Sequence, residues 1–207
     1  ANQALRDKLM ARCKDIEVRC IDVLEGPVTA LRHFLGKAET HKVGRQHEVD
    51  ARYLDRIEAL NFTIAHDDGQ SLDSISDAEV ILTGASRTSK TPTCVYLAIR
   101  GIRAANVPLV PRLAPPLQLL NAKKPLIVGL WVSPDRLVQV RRNRLTSMGE
   151  SRDSDYVELE AVRAEIAATR QLFENQDWPM IDVSRRSIEE TAAAVMNLLA
   201  DRKEVIG

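Results

Sequence analysis

The stretch V-I-L-T-G-A-S-R-T-S-K-T, residues 80–91, decides the reading of this chain. Val80, Ile81 and Leu82 form a short apolar run that ends at Gly84, and P-T-C-V-Y-L-A-I follows Thr91. A strand, a polar turn and a helix are expected in that order. The turn matches the phosphate-loop pattern G-x-x-x-x-G-K-[ST] at Gly84, Lys90 and Thr91, with Ser89 in place of the second glycine. Gly84 lets the backbone leave the strand in a conformation closed to other residues. The N–H groups of Ala85, Ser86, Arg87, Thr88 and Ser89 can then form an anion nest at the positive end of the following helix. Lys90 is placed to neutralise terminal phosphates, Thr91 to offer a hydroxyl to Mg²⁺, and Arg87 to add a further phosphate donor. The competing reading is an ordinary strand-turn-helix, and Ser89 counts toward it.

Outward from this stretch the sequence alternates between strand and helix signals. On the N-terminal side, a first helix gives way to a strand at 18–23 (V-R-C-I-D-V), and Pro27 opens a helix that runs to Leu35. Residues 37–49 read as a polar loop, and a helix covers 49–66 before Asp67-Asp68-Gly69 ends it. On the C-terminal side, a helix is expected from 91 to about 105 and a strand at 107–110. A near-continuous apolar run at 126–132 suits a strand buried on both faces. Helices are expected at 134–145 and 156–174, a polar loop at 146–154, and a strand at 180–183. Ser187-Ile188-Glu189-Glu190 is a capping box that opens the last helix. The alternation predicts an α/β fold with a mainly parallel sheet flanked by helices, and a P-loop-like nucleotide-binding domain. Two regions are expected: residues 1–70 as the C-terminal part of an incomplete N-terminal α/β region, and residues 71–207 as the P-loop-like domain. Ala1 stands inside a helical pattern rather than at a natural start, so the true N-terminus is expected to lie upstream.

Lys plus Arg and Asp plus Glu are 29 each in 207 residues, so no global field draws the chain to nucleic acid or to a membrane. No apolar run approaches the ~20 residues that span a bilayer. The cysteines Cys13, Cys20 and Cys94 are odd in number and form no C-x-x-C pair, which favours a reducing, cytoplasmic setting. The four histidines show no zinc spacing.

Three further groups are candidates. Asp67 and Asp68 put two carboxylates after a helix, where they could hold Mg²⁺ or act as a base, or simply make a turn. Arg141, Arg142 and Arg144, with Arg136 on the same helix, could clamp a phosphate or an acidic partner, or form a solvated face. Gly44-Arg45-Gln46-His47 lies in the one long loop. A Walker B carboxylate is missing, since the 126–131 run holds no Asp and Asp182 reads as a strand-end residue.

The run from Gly84 to Pro111 (G-A-S-R-T-S-K-T-P-T-C-V-Y-L-A-I-R-G-I-R-A-A-N-V-P-L-V-P) resembles the signature of the pyruvate, phosphate dikinase and phosphoenolpyruvate synthase regulatory proteins. The likeness extends through residues 53–69, 128–137, 141–144 and 178–194, nearly the whole chain. It implies a bifunctional cytoplasmic enzyme. One activity moves phosphate from ADP to a threonine of the dikinase. The other removes it with inorganic phosphate and releases pyrophosphate. The resemblance maps the nucleotide loop onto Gly84 to Thr91, tolerates Ser or Gly at 89, and shifts Asp67 and Asp68 toward function beside Lys90 and Arg87. ADP, phosphate and Mg²⁺ are the implied ligands, and the dikinase or synthase is the implied protein partner, with a homodimer allowed. The family's N-terminal segment is absent here, and residues 111–115 depart from its pattern. Two other functions fit the residues: a P-loop kinase using ATP on a small molecule, and a non-catalytic nucleotide-sensing module.

Overall fold

The structure, a computed structural model, describes residues 3–23, 25–36, 51–148 and 155–206. Tertiary contacts divide the chain into two units, Ala1–Val49 and Asp50–Gly207. The first holds two helices, α1 (Gln3–Asp15) and α2 (Glu25–Leu35). The strand expected at 18–23 does not form. Its alternating pattern finds no second strand among the described residues of this unit, and a lone strand leaves its backbone groups unpaired. Ile21 and Val23 are exposed there. The Gly44 to His47 candidate lies outside the described residues, as do most of the loops expected at 37–49 and 146–154.

The second unit runs α3 (Ala51–Ala65), a 3-10 turn (Leu72–Asp77), β1 (Val80–Gly84), α4 (Lys90–Ile99), β2 (Ala104–Pro108), α5 (Leu117–Asn121), β3 (Leu126–Trp131), α6 (Pro134–Met148), α7 (Leu159–Asn175), β4 (Met180–Asp182) and α8 (Ile188–Ile206). The four strands make one all-parallel sheet in the order β2-β1-β3-β4. The fold is therefore α/β, with the sheet buried between helices as parallel strands require. Val80 and Leu82 face Cys94 and Leu97 of α4 and Ala192 and Val195 of α8. Ile81 faces the opposite way, to Ile75, Val107, Leu119 and Ile127. β1 and β3 are central, and chain order reverses between them, because β2 lies to one side of β1 and β3 to the other. Ligands of open α/β sheets bind beyond the strand ends at such a reversal.

The expected helix 91–105 is shorter than its sequence suggested. It ends at Ile99, where the N–H groups of Gly101 and Ile102 turn back to the carbonyls of Ala98 and Leu97. β2 starts at Ala104, not at 107. Ala104 and Ala105 carry no β signal, yet both are fully buried in the sheet, because pairing with β1 outweighs their local preference.

The outer edge of β2 is covered by α3 and the turn after it. Thr63 Oγ1 donates to the Ala104 carbonyl at 2.7 Å. The Asn106 N–H donates to the His66 carbonyl at 3.0 Å, and the Gly69 N–H donates to the Asn106 carbonyl at 2.8 Å. His66 is itself fixed, stacked on Phe62 at 3.8 Å and bonded through Nε2 to Ser74 at 2.8 Å. Residues 51–70 thus pack on the sheet that they precede.

Gly129 of β3 lies flat under the Phe173 ring of α7, and a Cβ there would overlap that ring. Gly129→Ala is expected to lower stability by about 1–3 kcal/mol by overpacking, and Phe173→Leu in the same chain to recover part of it. Urea unfolding of the two variants checks this.

Candidate functional site

The site is built where β1 ends. Gly84 has φ +142°, and a Cβ there would overlap the Leu130 carbonyl oxygen of β3. Only glycine lets the two central strands approach so closely at the start of the loop. The loop then closes on itself: Thr88 Oγ1 donates to the Ala85 carbonyl at 3.0 Å. Ser89, at the position of the missing glycine, has φ 61° and ψ 25°, the left-handed region that glycine would favour. Arg87, also left-handed at φ 75°, is exposed at the loop tip. The backbone therefore adopts what the motif demands, with serine and arginine bearing a conformational cost of roughly 1–2 kcal/mol each. Pro92 sits in the first turn of α4, where a missing N–H leaves no bond unmade.

Lys90 is buried, with 5% of its surface exposed. Its Nζ donates to the carbonyls of Gly84 at 3.1 Å and Ala85 at 2.8 Å. Burial lowers its pKa from 10.5 to about 8, the Asp68 carboxylate acting in the opposite direction. An ammonium has three donors, so one remains for a ligand.

The turn that seals the β2 edge also delivers Asp67 and Asp68 to this loop. Thr91 Oγ1 donates to Asp67 Oδ1 at 2.9 Å. Asn106 Nδ2, from the middle of β2, reaches Asp67 Oδ1 at 2.6 Å, Asp68 Oδ1 at 3.1 Å and Thr91 Oγ1 at 3.0 Å. Asn106 is buried, and its Oδ1 has no partner. Sequence reading missed Asn106. The available signal was a lone amide inside a run of small and apolar strand residues, A-A-N-V. Asp67 stands beside the loop threonine, where a Walker B carboxylate would be sought, but it comes from outside the sheet. Asp182 serves the backbone instead, accepting the Ser184 N–H at 2.9 Å.

The arginine cluster separates. Arg136, Arg142 and Arg144 are exposed, whereas Arg141 is fully buried. Arg141 is neither an open clamp nor a solvated face. It forms a two-pronged pair with Glu165 of α7 at 2.7 and 2.8 Å, donates to the Tyr156 carbonyl at 3.1 Å and the Ser86 carbonyl at 3.4 Å, and lies over the Tyr156 ring at 4.3 Å. Glu165 and Tyr156 were not singled out from sequence, since pairing between α6 and α7 has no local signature. Removing one partner strands a buried charge. Glu165→Gln is expected to cost about 3–5 kcal/mol, read as a lowered urea midpoint.

The oxygen donors of Asp67, Asp68 and Thr91, with the unpartnered Asn106 Oδ1 behind them, suit a hard cation such as Mg²⁺ that keeps water and phosphate ligands. Among the described residues no group of three or more His, Cys, Asp or Glu makes a self-sufficient metal cage. Nor is any described helix long and apolar enough to cross a membrane.

The lowered Lys90 pKa carries a pH signature. Protonated Lys90 is the form that attracts an anion, so any affinity of the loop for inorganic phosphate is expected to fall as pH rises through about 8. The Lys90 ¹³Cε resonance should titrate near that pH in the free chain and at higher pH with inorganic phosphate bound. In Asp68→Asn the midpoint should drop, because a favourable charge is lost. NMR titration of the three samples checks all of this.

The family described as kinase/pyrophosphorylase matches residues 1–196. A Caulobacter vibrioides protein named as a pyruvate, phosphate dikinase regulatory protein is 56% identical over 206 residues, covering 98% of this chain. The chain spans 65% of that relative's length. Proteins of the same name from Bradyrhizobium diazoefficiens and Sphingopyxis alaskensis are 52% and 49% identical, with 96% and 97% of this chain covered and 72% and 74% of theirs. The expectation drawn from Gly84 to Pro111 is met, and the chain belongs to the kinase/pyrophosphorylase family.

Proposed function

We propose that this chain carries the phosphate-transfer site of a regulator that both phosphorylates and dephosphorylates pyruvate, phosphate dikinase. In one direction ADP is the donor and a threonine of the dikinase the acceptor. In the other, inorganic phosphate removes the group as pyrophosphate. The observation that carries this reading is the convergence of Asp67, Asp68 and Asn106 on Thr91, at the mouth of a loop whose lysine is buried beside it. The names of the relatives point to the dikinase as target.

The residues divide the work. The loop N–H groups and Lys90 hold the β-phosphate of ADP and stabilise the charge that spreads over it during transfer. Asp67 and Thr91 would hold Mg²⁺, which would supply charge neutralisation to a bound phosphate. Asp68 makes one hydrogen bond, to Asn106, and is exposed, so it is the carboxylate free to take a proton. The acceptor hydroxyl oxygen bonds to the β-phosphorus, the bond from that phosphorus to the bridging oxygen breaks, AMP leaves with the electron pair, and Asp68 receives the proton. In reverse, an oxygen of inorganic phosphate attacks the phosphothreonine, the threonine oxygen leaves and takes a proton from Asp68, and pyrophosphate forms. One cradle serves both directions.

The test uses β-labelled ADP, Mg²⁺ and purified dikinase. Acid-stable label is expected on a dikinase threonine, absent with Lys90→Ala and reduced by about 10²–10⁴-fold with Asp68→Asn. Lys90→Ala is expected to abolish phosphorolysis as well, and its survival in that variant would refute the shared cradle. Label arriving from γ-labelled ATP, and not from ADP, would point to an ATP-dependent kinase.

A further inference from the structure

Beside the phosphate loop lies a groove of about 950 Å³. One wall is the exposed face of α7, with Ala164, Ala168 and Leu172 at helical spacing. The other is the strap that leaves β2, with Leu109, Pro111 and Leu113. Asp68 and Ser86 close one end, so the groove opens directly onto the carboxylate and the loop described above.

Its chemistry restricts what can lie in it. The two arginines that line it are both paired, Arg141 with Glu165 at 2.7 Å and Arg112 with Asp155 at 3.4 Å. Among the described residues that line the groove, no arginine is without a carboxylate partner. The strap includes Pro108, Pro111 and Pro115, which have no N–H, and the facing alanines offer only methyl groups. A neutral peptide with small apolar side chains is well served by such walls.

We infer that this groove docks the acceptor segment of the protein substrate. The segment is an extended, uncharged stretch whose small apolar side chains lie between α7 and the strap, and whose acceptor hydroxyl reaches Asp68 at the end. The inference rests on the phosphate-transfer reading for the role of Asp68, whereas docking itself can be measured without turnover.

Ala164 and Ala168 are exposed on a helix, so a large side chain fills the groove without disturbing the core. Binding of purified pyruvate, phosphate dikinase and of ADP is measured separately by calorimetry for the full chain and for Ala164→Phe, Ala168→Phe and Leu113→Glu. Dikinase binding is expected to weaken at least tenfold in each variant, with ADP affinity within twofold and the thermal midpoint unchanged. ADP binding weakened alone would overturn the inference and assign the groove to the nucleoside. Unchanged binding of both would overturn it too. Wild-type chain that binds dikinase through the groove yet transfers no label would sink the proposed chemistry and leave the docking groove standing. Wild-type chain that binds no dikinase would remove both.

Discussion

The outer edge of β2 is the constraint on which the site depends. A sheet edge presents unpaired N–H and C=O groups that must find partners. Here Thr63, His66 and Gly69 supply them. Because the His66 carbonyl and the Gly69 N–H both bond to Asn106, the two residues between them have little freedom. Those two are Asp67 and Asp68. The same Asn106 whose backbone takes these bonds turns its side-chain amide to both carboxylates and to Thr91. Sealing the sheet and placing the acids are therefore one structural event.

Much of this was legible in the sequence, for local reasons. Gly84, Lys90 and Thr91 mark a loop by their fixed spacing, and a continuous apolar run marks β3. The Ser187–Glu190 capping box forms as written, with the Glu190 N–H donating to Ser187 Oγ at 3.1 Å and the Ser187 N–H donating to Glu190 Oε2 at 2.8 Å. What escaped depends on partners distant in the chain. R-A-A-N is as good a helix as a strand until β1 is beside it. Arg141 looks like its exposed neighbours Arg142 and Arg144 until Glu165, 24 residues away, is seen to meet it. Residues 18–23 show the converse, a sound local pattern for which no strand partner is present among the described residues of that unit.

Charge is handled locally throughout. The zero net charge of the chain conceals a mouth in which Lys90, Arg141, Asp67 and Asp68 lie close enough to influence one another. Arg141 is held in check by Glu165, and the Lys90 ammonium is solvated by carbonyls of its own loop in place of water. At the loop, the Lys90 charge thus stands beside the N–H groups at the start of α4.

The wedge of Gly84 against the Leu130 carbonyl has a mechanical consequence. It sets the root of the loop against a central strand of the sheet, and Lys90 ties the other end to the same root through the Gly84 and Ala85 carbonyls. Between these two anchors only the arc through Arg87 and Ser89 is strained and exposed. The loop is a short arch: both footings are tied to the sheet's end, and its two left-handed, exposed residues stand at the crown.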